Sequence, residues 1–373
     1  MPDAMRIGLV VSSSVDGGGE TYLRSLYEGL ARRGHDIVLF GELPRWSLAS
    51  IDTGVTGKWR KAGASRHLRA MLSERERILR AVRKEHERAP FDIFHLQYKR
   101  EQILVTWPLA RLAPVLWTEH GKLPSSRGSL LLKVAYRWAA QRASMIVCVS
   151  DTVRDDIRRW MPRSLTAVVV RNSVNLTRYR PCTEREREDA RRTLCIPSKS
   201  LVVVTVSRLH RDKGIDLAIA AVDHLPETAI LVVAGDGPDL SRLQELARGR
   251  GVVFTGHLDD VRLALRAADV FLFSSRPVAG EGSPTAALLE AAAQALPIVA
   301  TVGSGVEREV TSAGGAIARP DPVAVAKVLR SIDIVTAGCL SRTWAEAFGL
   351  IPWLDRHEQI ATRAISKYAQ ANR

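Results

Sequence analysis

The stretch LVVVTVSRLHRDKGIDLAIAAV, residues 201–222, joins a continuous apolar run to a segment of helical spacing through a short basic loop. An apolar run without polar alternation is typical of a strand that is buried on both faces of a parallel sheet. A buried strand followed by a helix is the repeating unit of doubly wound α/β folds. This stretch therefore predicts a doubly wound α/β domain.

The same unit recurs on both sides of the stretch. Apolar runs alternate with helical segments earlier in the chain, at 6–13, 36–40, 91–97, 115–119, 145–150 and 167–172. Further runs follow it, at 229–235, 252–256, 270–275 and 297–301. A polar, charged stretch at 180–200 separates the two sets, and we interpret 175–200 as a linker.

Two Rossmann-like domains facing a central cleft are the simplest architecture for this pattern. We predict an N-terminal domain over 1–178, a C-terminal domain over 179–345, and a helical segment over 346–373 that returns to the N-terminal domain. Ligands of such sheets bind beyond the carboxyl ends of the strands. Binding residues are therefore expected in the loops that follow the apolar runs.

Composition excludes several classes of protein. The chain has 373 residues, of which 46% are hydrophobic and 25% are charged, as in globular domains. We expect neither a signal peptide nor a transmembrane helix, because the apolar runs are too short. The four cysteines have no metal-ligand or disulfide spacing, which indicates a cytoplasmic location.

The formal net charge of +14 is unevenly distributed. Residues 1–180 hold 31 Lys and Arg against 17 Asp and Glu, whereas residues 181–373 hold 23 of each. Nucleic acid, an anionic membrane or an anionic acceptor would each explain the excess, and so would an Arg-rich proteome. No recognisable nucleic-acid-binding module is present, so we do not expect nucleic acid as a partner.

Residues 58–88 combine 11 Lys and Arg with apolar residues at helical spacing; Trp59 lies within this range and Trp46 lies upstream of it. A basic amphipathic helix of this kind can lie on an anionic membrane. It can equally cover the N-terminal sheet with an Arg-rich outer face. The first interpretation predicts peripheral association with the inner face of a membrane and a lipid-linked or anionic acceptor.

Basic residues follow the strand at 201–207. Arg208 and Lys213 would lie at its carboxyl end, where a planar guanidinium and a compact ammonium suit a diphosphate. The alternative is a pair of solvated surface charges.

A second candidate phosphate site is EGSPTAALLEAAAQAL, residues 281–296. Ser283 is a suitable N-cap with Pro284 at the first helical position, which leaves the amides of Thr285 and Ala286 free for a phosphate. Glu290 stands in an otherwise apolar helix and needs a partner such as a cation or a sugar hydroxyl, unless it faces water.

Two features of the N-terminal half point to the same edge of its sheet. A glycine-rich turn that includes Gly18 and Gly19 follows the first strand and allows close approach of a ligand, or is merely a tight turn. His120 follows the run at 115–119, where it would either contact a ligand or have a purely structural role.

In their order and spacing these segments resemble the GT-B glycosyltransferases, specifically the retaining family 4 (group 1) type. The resemblance is carried by GGGETYLRSLYEGLARRGHDI, VCVSDTVRDDI, VSRLHRDKGIDLAIAAV, VVAGDGPDLSRLQELA, VVFTGHLDDVRLALRAADVFLFSS and the segment that begins at Glu281. It implies a C-terminal domain that binds a nucleoside-diphosphate sugar and an N-terminal domain that holds the acceptor.

The resemblance also implies roles for individual residues. Arg208 and Lys213 would contact the diphosphate, Glu290 the ribose hydroxyls, and Glu281 the hexose. Gly18 and Gly19 would line the cleft, His120 would contact the transferred sugar, and Leu258 would contact the base through its backbone. Eight residues separate Glu281 from Glu290, one more than in the family, so Gly282 stands where the first family glutamate is expected.

The implied reaction transfers a hexose-type sugar with retention to an acceptor hydroxyl, for example on a lipid-linked, cell-envelope or secondary-metabolite acceptor. We expect no cofactor and no metal, since no Asp-x-Asp motif or His cluster with ligand spacing occurs. A GT-B nucleotide-sugar epimerase is the alternative function, because it shares the two-domain layout.

Overall fold

The computed structural model describes residues 4–14, 17–55, 64–121, 123, 130–276 and 285–371. The chain forms two compact units. The first unit contains residues 1–171 and 351–373, and the second contains residues 172–350.

The first unit is a seven-stranded parallel sheet flanked by helices, with strand order β3-β2-β1-β4-β5-β6-β7. Its elements are β1 (Arg6–Ser12), α1 (Gly18–Arg32), β2 (Asp36–Glu42), β3 (Ser50–Ile51), α2 (Ala64–Arg88), β4 (Ile93–Leu96), α3 (Lys99–Leu109), β5 (Val115–Glu119), α4 (Leu130–Ala140), β6 (Met145–Cys148), α5 (Asp151–Arg158) and β7 (Ala167–Val169).

The second unit is a six-stranded parallel sheet with order β10-β9-β8-β11-β12-β13. Its elements are α6 (Glu184–Thr193), β8 (Val202–Val206), a 3-10 turn (Arg211–Lys213), α7 (Ile215–Val222), β9 (Ile230–Ala234), α8 (Leu240–Leu246), β10 (Val252–Gly256), α9 (Arg262–Ala267), β11 (Val270–Phe273), α10 (Ala286–Ala293), β12 (Ile298–Thr301), α11 (Glu307–Ser312), β13 (Ala316–Ala318), α12 (Pro322–Ser331) and α13 (Ile334–Glu346). The final helix, α14 (Leu350–Ala371), passes into the first unit.

The central strands are apolar throughout because helices cover both faces of each sheet. Every residue of β4, β5 and β6 is buried, and so is every residue of β11 and β12. The prediction of two doubly wound α/β domains is therefore confirmed.

Helix α14 is fixed to the first unit by polar contacts at the end of α1. Arg33 Nη1 donates to Asp355 at 2.7 Å and to Glu358 at 2.8 Å. The buried His35 lies between the backbone amide of Met5 and the carboxylate of Glu358. Its Nδ1 accepts from the Met5 amide, and its Nε2 lies 2.9 Å from Glu358 Oε1. Because His35 Nδ1 accepts from that amide, its Nε2 carries the proton that Glu358 accepts. The predicted return of the C-terminal helix to the first unit is confirmed.

The interpretation of residues 175–200 as a linker is wrong, because they contribute a helix to the second unit. Thr183 and Glu186 form a capping box that starts α6. Arg191 is buried and donates both to Asp269 and to the carbonyl of Ala267. The charged sequence did not indicate this helix, because the buried face of the helix makes an ion pair and has no apolar stripe.

Candidate functional site

Each sheet has one position where the strand order reverses. In the first unit it lies between β1 and β4, and in the second it lies between β8 and β11. The crossovers leave such a position in opposite directions, so a crevice opens there at the carboxyl edge. The predicted residues Gly18 and Gly19 follow β1, whereas Arg208 and Lys213 follow β8.

The loop after β8 is held by the turn after β9. The Leu209 amide donates to the Asp236 carbonyl at 2.9 Å, and the Leu209 carbonyl accepts from Asp239. Gly235 has a φ of +139°, and a Cβ on it would lie 1.9 Å from the Ser207 carbonyl oxygen. Only glycine fits this approach. Leu209 is buried and Arg208 beside it is exposed, so the loop presents the guanidinium to solvent.

Lys213 lies at the end of the 3-10 turn, and Gly214 follows it with a φ of +63°. A Cβ on Gly214 would lie 2.1 Å from the Ser274 carbonyl oxygen, and Ser274 follows β11. The Ser274 hydroxyl donates to the Lys213 carbonyl at 2.9 Å. The turn is thus seated against the end of β11, and burial lowers the pKa of the half-buried Lys213.

Arg276 holds the same turn from the other side. Its amide donates to the Asp212 carbonyl at 2.7 Å, and its guanidinium donates to the Arg211 carbonyl at 2.8 Å. A third bond joins Arg276 Nη2 to Asp216 at 2.7 Å, on the first turn of α7. Arg276 therefore positions the segment that carries Lys213.

Helix α10 begins at Ala286 with Thr285 as its N-cap, and the Thr285 hydroxyl accepts from the Leu288 amide at 3.4 Å. The prediction that Ser283 is the N-cap and Pro284 the first helical residue is wrong by two positions. Thr285 has the extended backbone and the side-chain oxygen that the cap requires. The amides of Ala286 and Ala287 lie in the first turn, where no intrahelical acceptor exists.

Glu290 lies on α10, half-buried, opposite Tyr179. Burial raises the pKa of its carboxyl, while a hydrogen bond from the Tyr179 hydroxyl and the charge of Arg178 oppose this shift. Arg178 in turn lies 3.7 Å from Asp260, measured from Nη2 to Oδ2. The sequence predicted a cation or a sugar hydroxyl as the partner of Glu290, and it did not identify Tyr179 or Arg178.

Three other predicted residues belong to the second unit. Leu258 is half-buried just after β10 and packs on the core. Glu281 and Ser283 lie outside the described residues. Their predicted contacts with the hexose and with phosphate stay predictions, as do the roles of all the other site residues.

In the first unit, the turn after β1 is built around the buried Glu20. Its carboxylate accepts from the Ser13 hydroxyl at 2.6 Å, from the Gly17 amide at 3.1 Å, and from the Tyr98 hydroxyl. Ser13 follows β1 and Tyr98 follows β4. Glu20 therefore bridges the two strands on either side of the reversal.

Gly18 and Gly19 form the first turn of α1, and the Gly19 carbonyl accepts from Gln97 Nε2 at 3.1 Å. The other end of that amide, Gln97 Oε1, lies 3.1 Å from His120 Nε2. Because Gln97 uses its NH₂ group on a carbonyl, its oxygen faces His120 and accepts a hydrogen bond from the Nε2–H of that ring. One glutamine thus connects two sequence-predicted features.

His120 is further fixed by α1 and α14. The Tyr22 ring meets the His120 ring edge-on, with centroids 4.7 Å apart, and its hydroxyl lies 3.0 Å from His357 Nε2. Trp353 packs edge-on against Tyr22 at 5.0 Å. The C-terminal helix therefore supports the predicted sugar-contacting histidine through Tyr22.

Burial keeps three histidines of this unit neutral. It lowers the pKa of His120 to about 4, an effect to which the charge of Lys99 adds. It lowers the pKa values of His95 and His357 to about 3. His95 is enclosed between Tyr27 and Thr118, so it has a structural role in the described fold.

Sequence reasoning missed Glu20, Gln97, Tyr98, Tyr179, Arg276 and His357. Position beside a strand end could have identified Gln97, Tyr98 and Arg276, because each follows an apolar run. No sequence signal identifies His357 or Tyr179, since they reach their partners from distant parts of the chain.

Two doubly wound parallel sheets of seven and six strands, with the last helix returned to the first, define the GT-B class of fold. The Anabaena protein HepE, solved in complex with UDP and glucose, shares this fold. The similarity has a TM-score of 0.79 at 17% identity and covers 96% of this chain and 99% of that one.

Two family models match the sequence. One, described as Glycosyltransferase Family 4, matches residues 16–178, and the other, described as Glycosyl transferases group 1, matches residues 200–332. The chain belongs to the family 4, group 1 glycosyltransferases.

Curated relatives match shorter segments of the chain. A putative teichuronic acid biosynthesis glycosyltransferase of Bacillus subtilis is 30% identical over 46% of this chain. A GDP-mannose-dependent alpha-(1-6)-phosphatidylinositol dimannoside mannosyltransferase of Mycobacterium tuberculosis is 30% identical over 57%. The matches span 42% and 57% of these two relatives, so the chain covers about half of their length.

Proposed function

We propose that the protein is a retaining glycosyltransferase that moves a hexose-type sugar from a nucleoside-diphosphate sugar to an acceptor hydroxyl. The supporting observation is the point between β8 and β11 where the strand order reverses. Arg208 and the turn of Lys213 lie on one side of it, and the first turn of α10 follows the strand on the other side. Two cations and free amides at one strand edge suit a diphosphate.

The chemistry that these groups offer is stabilisation of the leaving group. Negative charge grows on the diphosphate as the bond to the sugar breaks, and fixed cations and dipoles stabilise that charge. Gly214 and Arg276 hold the Lys213 turn before substrate arrives, so little reorganisation is needed at the moment of reaction. We propose attack on the same face, in which the leaving phosphate oxygen accepts the proton of the acceptor hydroxyl.

The remaining donor contacts follow from the family resemblance. The Glu290 carboxylate accepts hydrogen bonds from the ribose hydroxyls, Leu258 meets the base through its backbone, and Glu281 meets the hexose. His120, neutral at pH 7 and donating through Nε2 to Gln97, accepts at the transferred sugar through Nδ1, and Gly18 and Gly19 leave room beside it. The reaction as proposed uses neither a metal nor a cofactor.

For the acceptor we propose a lipid-linked, cell-envelope or otherwise anionic molecule at the inner face of a membrane. The positive charge of residues 1–180 supports this. So do the names of the two relatives, one of which refers to teichuronic acid biosynthesis and the other to phosphatidylinositol dimannoside. No helix within the described part of the chain has the length and apolarity to cross a bilayer.

The test is donor binding. The purified protein is heated with UDP-, GDP- and ADP-sugars, and at least one is expected to raise its unfolding temperature. Arg208→Ala abolishes the shift, whereas Arg248→Ala, an exposed arginine of the same unit, preserves it. An unchanged shift in both Arg208→Ala and Glu290→Ala refutes the donor site. An epimerised sugar formed without any acceptor would favour the epimerase instead.

A further inference from the structure

Helix α4 exposes an apolar face to solvent. Leu131 is 82% exposed, Leu130 59%, Val134 57% and Trp138 48%. At 100° per residue these four side chains fall within an arc of about 100°. Tyr136, Ala139 and Ala140 form the buried side of the same helix. Scattered exposed apolar residues are ordinary, but four on one face form a patch.

Tryptophans extend this patch onto α3. The rings of Trp107 and Trp138 stack with centroids 4.8 Å apart and an interplanar angle of 14°. Trp107 Nε1 donates to the Trp138 carbonyl at 3.1 Å. The pair is therefore a fixed platform with an apolar surface, and tryptophan is the side chain that membrane interfaces favour.

Cations border the patch. Arg142 lies over the Trp107 ring at 4.8 Å, and Lys133 lies over the Trp160 ring at 4.6 Å. Arg137 donates to the Met161 carbonyl at 3.1 Å. Within the described residues none of these three cations is paired with a carboxylate, and the sequence from 120 to 150 contains no Asp or Glu.

Helix α2, the basic segment singled out from the sequence, offers less apolar surface. Its residues Ile78, Leu79 and Val82 are buried in the core of the first unit. Leu72, 51% exposed, is its one large apolar side chain among the exposed residues of the described part. In this helix the apolar stripe serves the fold, and in α4 it faces water.

We infer that the apolar face of α4, with Trp107 and its border of Lys133, Arg137 and Arg142, docks the first unit on an anionic lipid surface. Apolar side chains enter the interface while long basic side chains keep their charges at the headgroups. A second copy of the chain is a poorer occupant, because a twofold contact would bring the same unpaired cations together. The inference rests on the proposed function for the presence of an acceptor at a membrane.

The experiment is co-sedimentation of the full chain with vesicles. Phosphatidylcholine vesicles that contain phosphatidylglycerol are expected to bind the protein, and vesicles of phosphatidylcholine alone bind it weakly. The Leu131→Ser, Trp138→Ser double variant weakens binding by roughly tenfold or more, since two large apolar groups are lost. Val335→Ser is the matched control, because Val335 is 74% exposed in the second unit.

Charge-reversal variants test the role of the basic residues. Lys133→Glu with Arg137→Glu removes the preference for anionic lipid, and Arg248→Glu with Arg319→Glu makes the same charge change on the second unit without that effect. Arg80→Glu with Arg83→Glu, on α2, leaves most of the binding intact. Loss of binding only in the α2 variant overturns the assignment to α4.

Two other outcomes also overturn the inference. One is absence of vesicle binding in the parent protein; the other is self-association in solution that Leu131→Ser abolishes. Vesicles with brominated acyl chains give an independent readout in the unmutated protein, because tryptophans at the interface lose fluorescence and Trp138→Phe reduces that loss. Donor-induced thermal shifts are measured on the same preparations. A normal shift without vesicle binding refutes the docking face alone, and a missing shift refutes the proposed function.

Discussion

Replacement of Glu290 by glutamine is expected to weaken donor binding without weakening the fold. Glu290 stands on α10 in contact with Tyr179, and burial raises the pKa of its carboxyl above the usual 4.5. The folded chain therefore contains a carboxylate whose ionised form is disfavoured by its surroundings. Such groups concentrate at functional sites.

The loss of affinity follows from the hydrogen bonds that the carboxylate would accept. A hydrogen bond to a charged group contributes about 1.5–3 kcal/mol. Glutamine retains one acceptor oxygen and no charge, so most of one such bond is lost. Since about 1.4 kcal/mol corresponds to a factor of ten, the Kd for the donor is expected to rise roughly 10- to 150-fold.

Stability is expected to change in the opposite direction. A carboxyl whose pKa is raised on folding opposes folding when both states are ionised, that is, at pH 7. This penalty disappears as the pH falls below the unfolded value of 4.5, where both states are protonated. Glu290→Gln removes the penalty, so the variant is at least as stable as the parent at pH 7, and the difference vanishes in acid.

Two measurements check this reasoning. Calorimetric titration with the nucleotide sugar gives the Kd, and urea unfolding at pH 7 and at pH 4 gives the free energy of unfolding. Glu245→Gln, an exposed carboxylate on α8, is the control that changes neither. Unchanged donor affinity, or a clear loss of stability at pH 7, would refute the account of Glu290.

Other predictions concern the supports of the site. Gly214→Ala forces a Cβ against the Ser274 carbonyl and moves the Lys213 turn, so calorimetry is expected to show weaker donor binding. Gly249→Ala is the control, because Gly249 has a similar φ but open space around it. That variant loses only about 1–2 kcal/mol of stability through backbone strain. Asp269→Ala leaves the buried Arg191 without its partner and lowers the free energy of unfolding by about 3–5 kcal/mol in urea; a change below 1 kcal/mol contradicts the network. The three neutral histidines of the first unit bind protons more readily when unfolded, so its stability falls as pH drops from 6.5 towards 5, by up to about 1.4 kcal/mol per pH unit for each. His357→Gln reduces that slope by one histidine's share, and an unchanged slope argues against a neutral His357.

The sequence placed residues best at the ends of strands. Arg208 and Lys213 follow a run that can only be a buried strand, so their place at the carboxyl edge follows from topology. The sequence did not predict helix α6, because the contact that this helix makes with the core is an ion pair from Arg191, which hydrophobic periodicity does not reveal. The predicted N-cap of α10 was wrong by two residues, because Ser283 and Thr285 are both suitable caps and the local sequence does not show which one is used.

The sequence by itself determined the two α/β sheets and the carboxyl edge of each, because the period of apolar residues reflects burial directly. Tertiary structure decided which side chains meet there. Gln97 reaches both Gly19 and His120, and Tyr22 joins His120 to a helix more than 300 residues away along the chain. It also decided that α2 turns its apolar stripe inward while α4 turns one outward. The local sequence indicates that a helix has two faces, but only the packing of neighbouring elements determines which face is exposed to solvent.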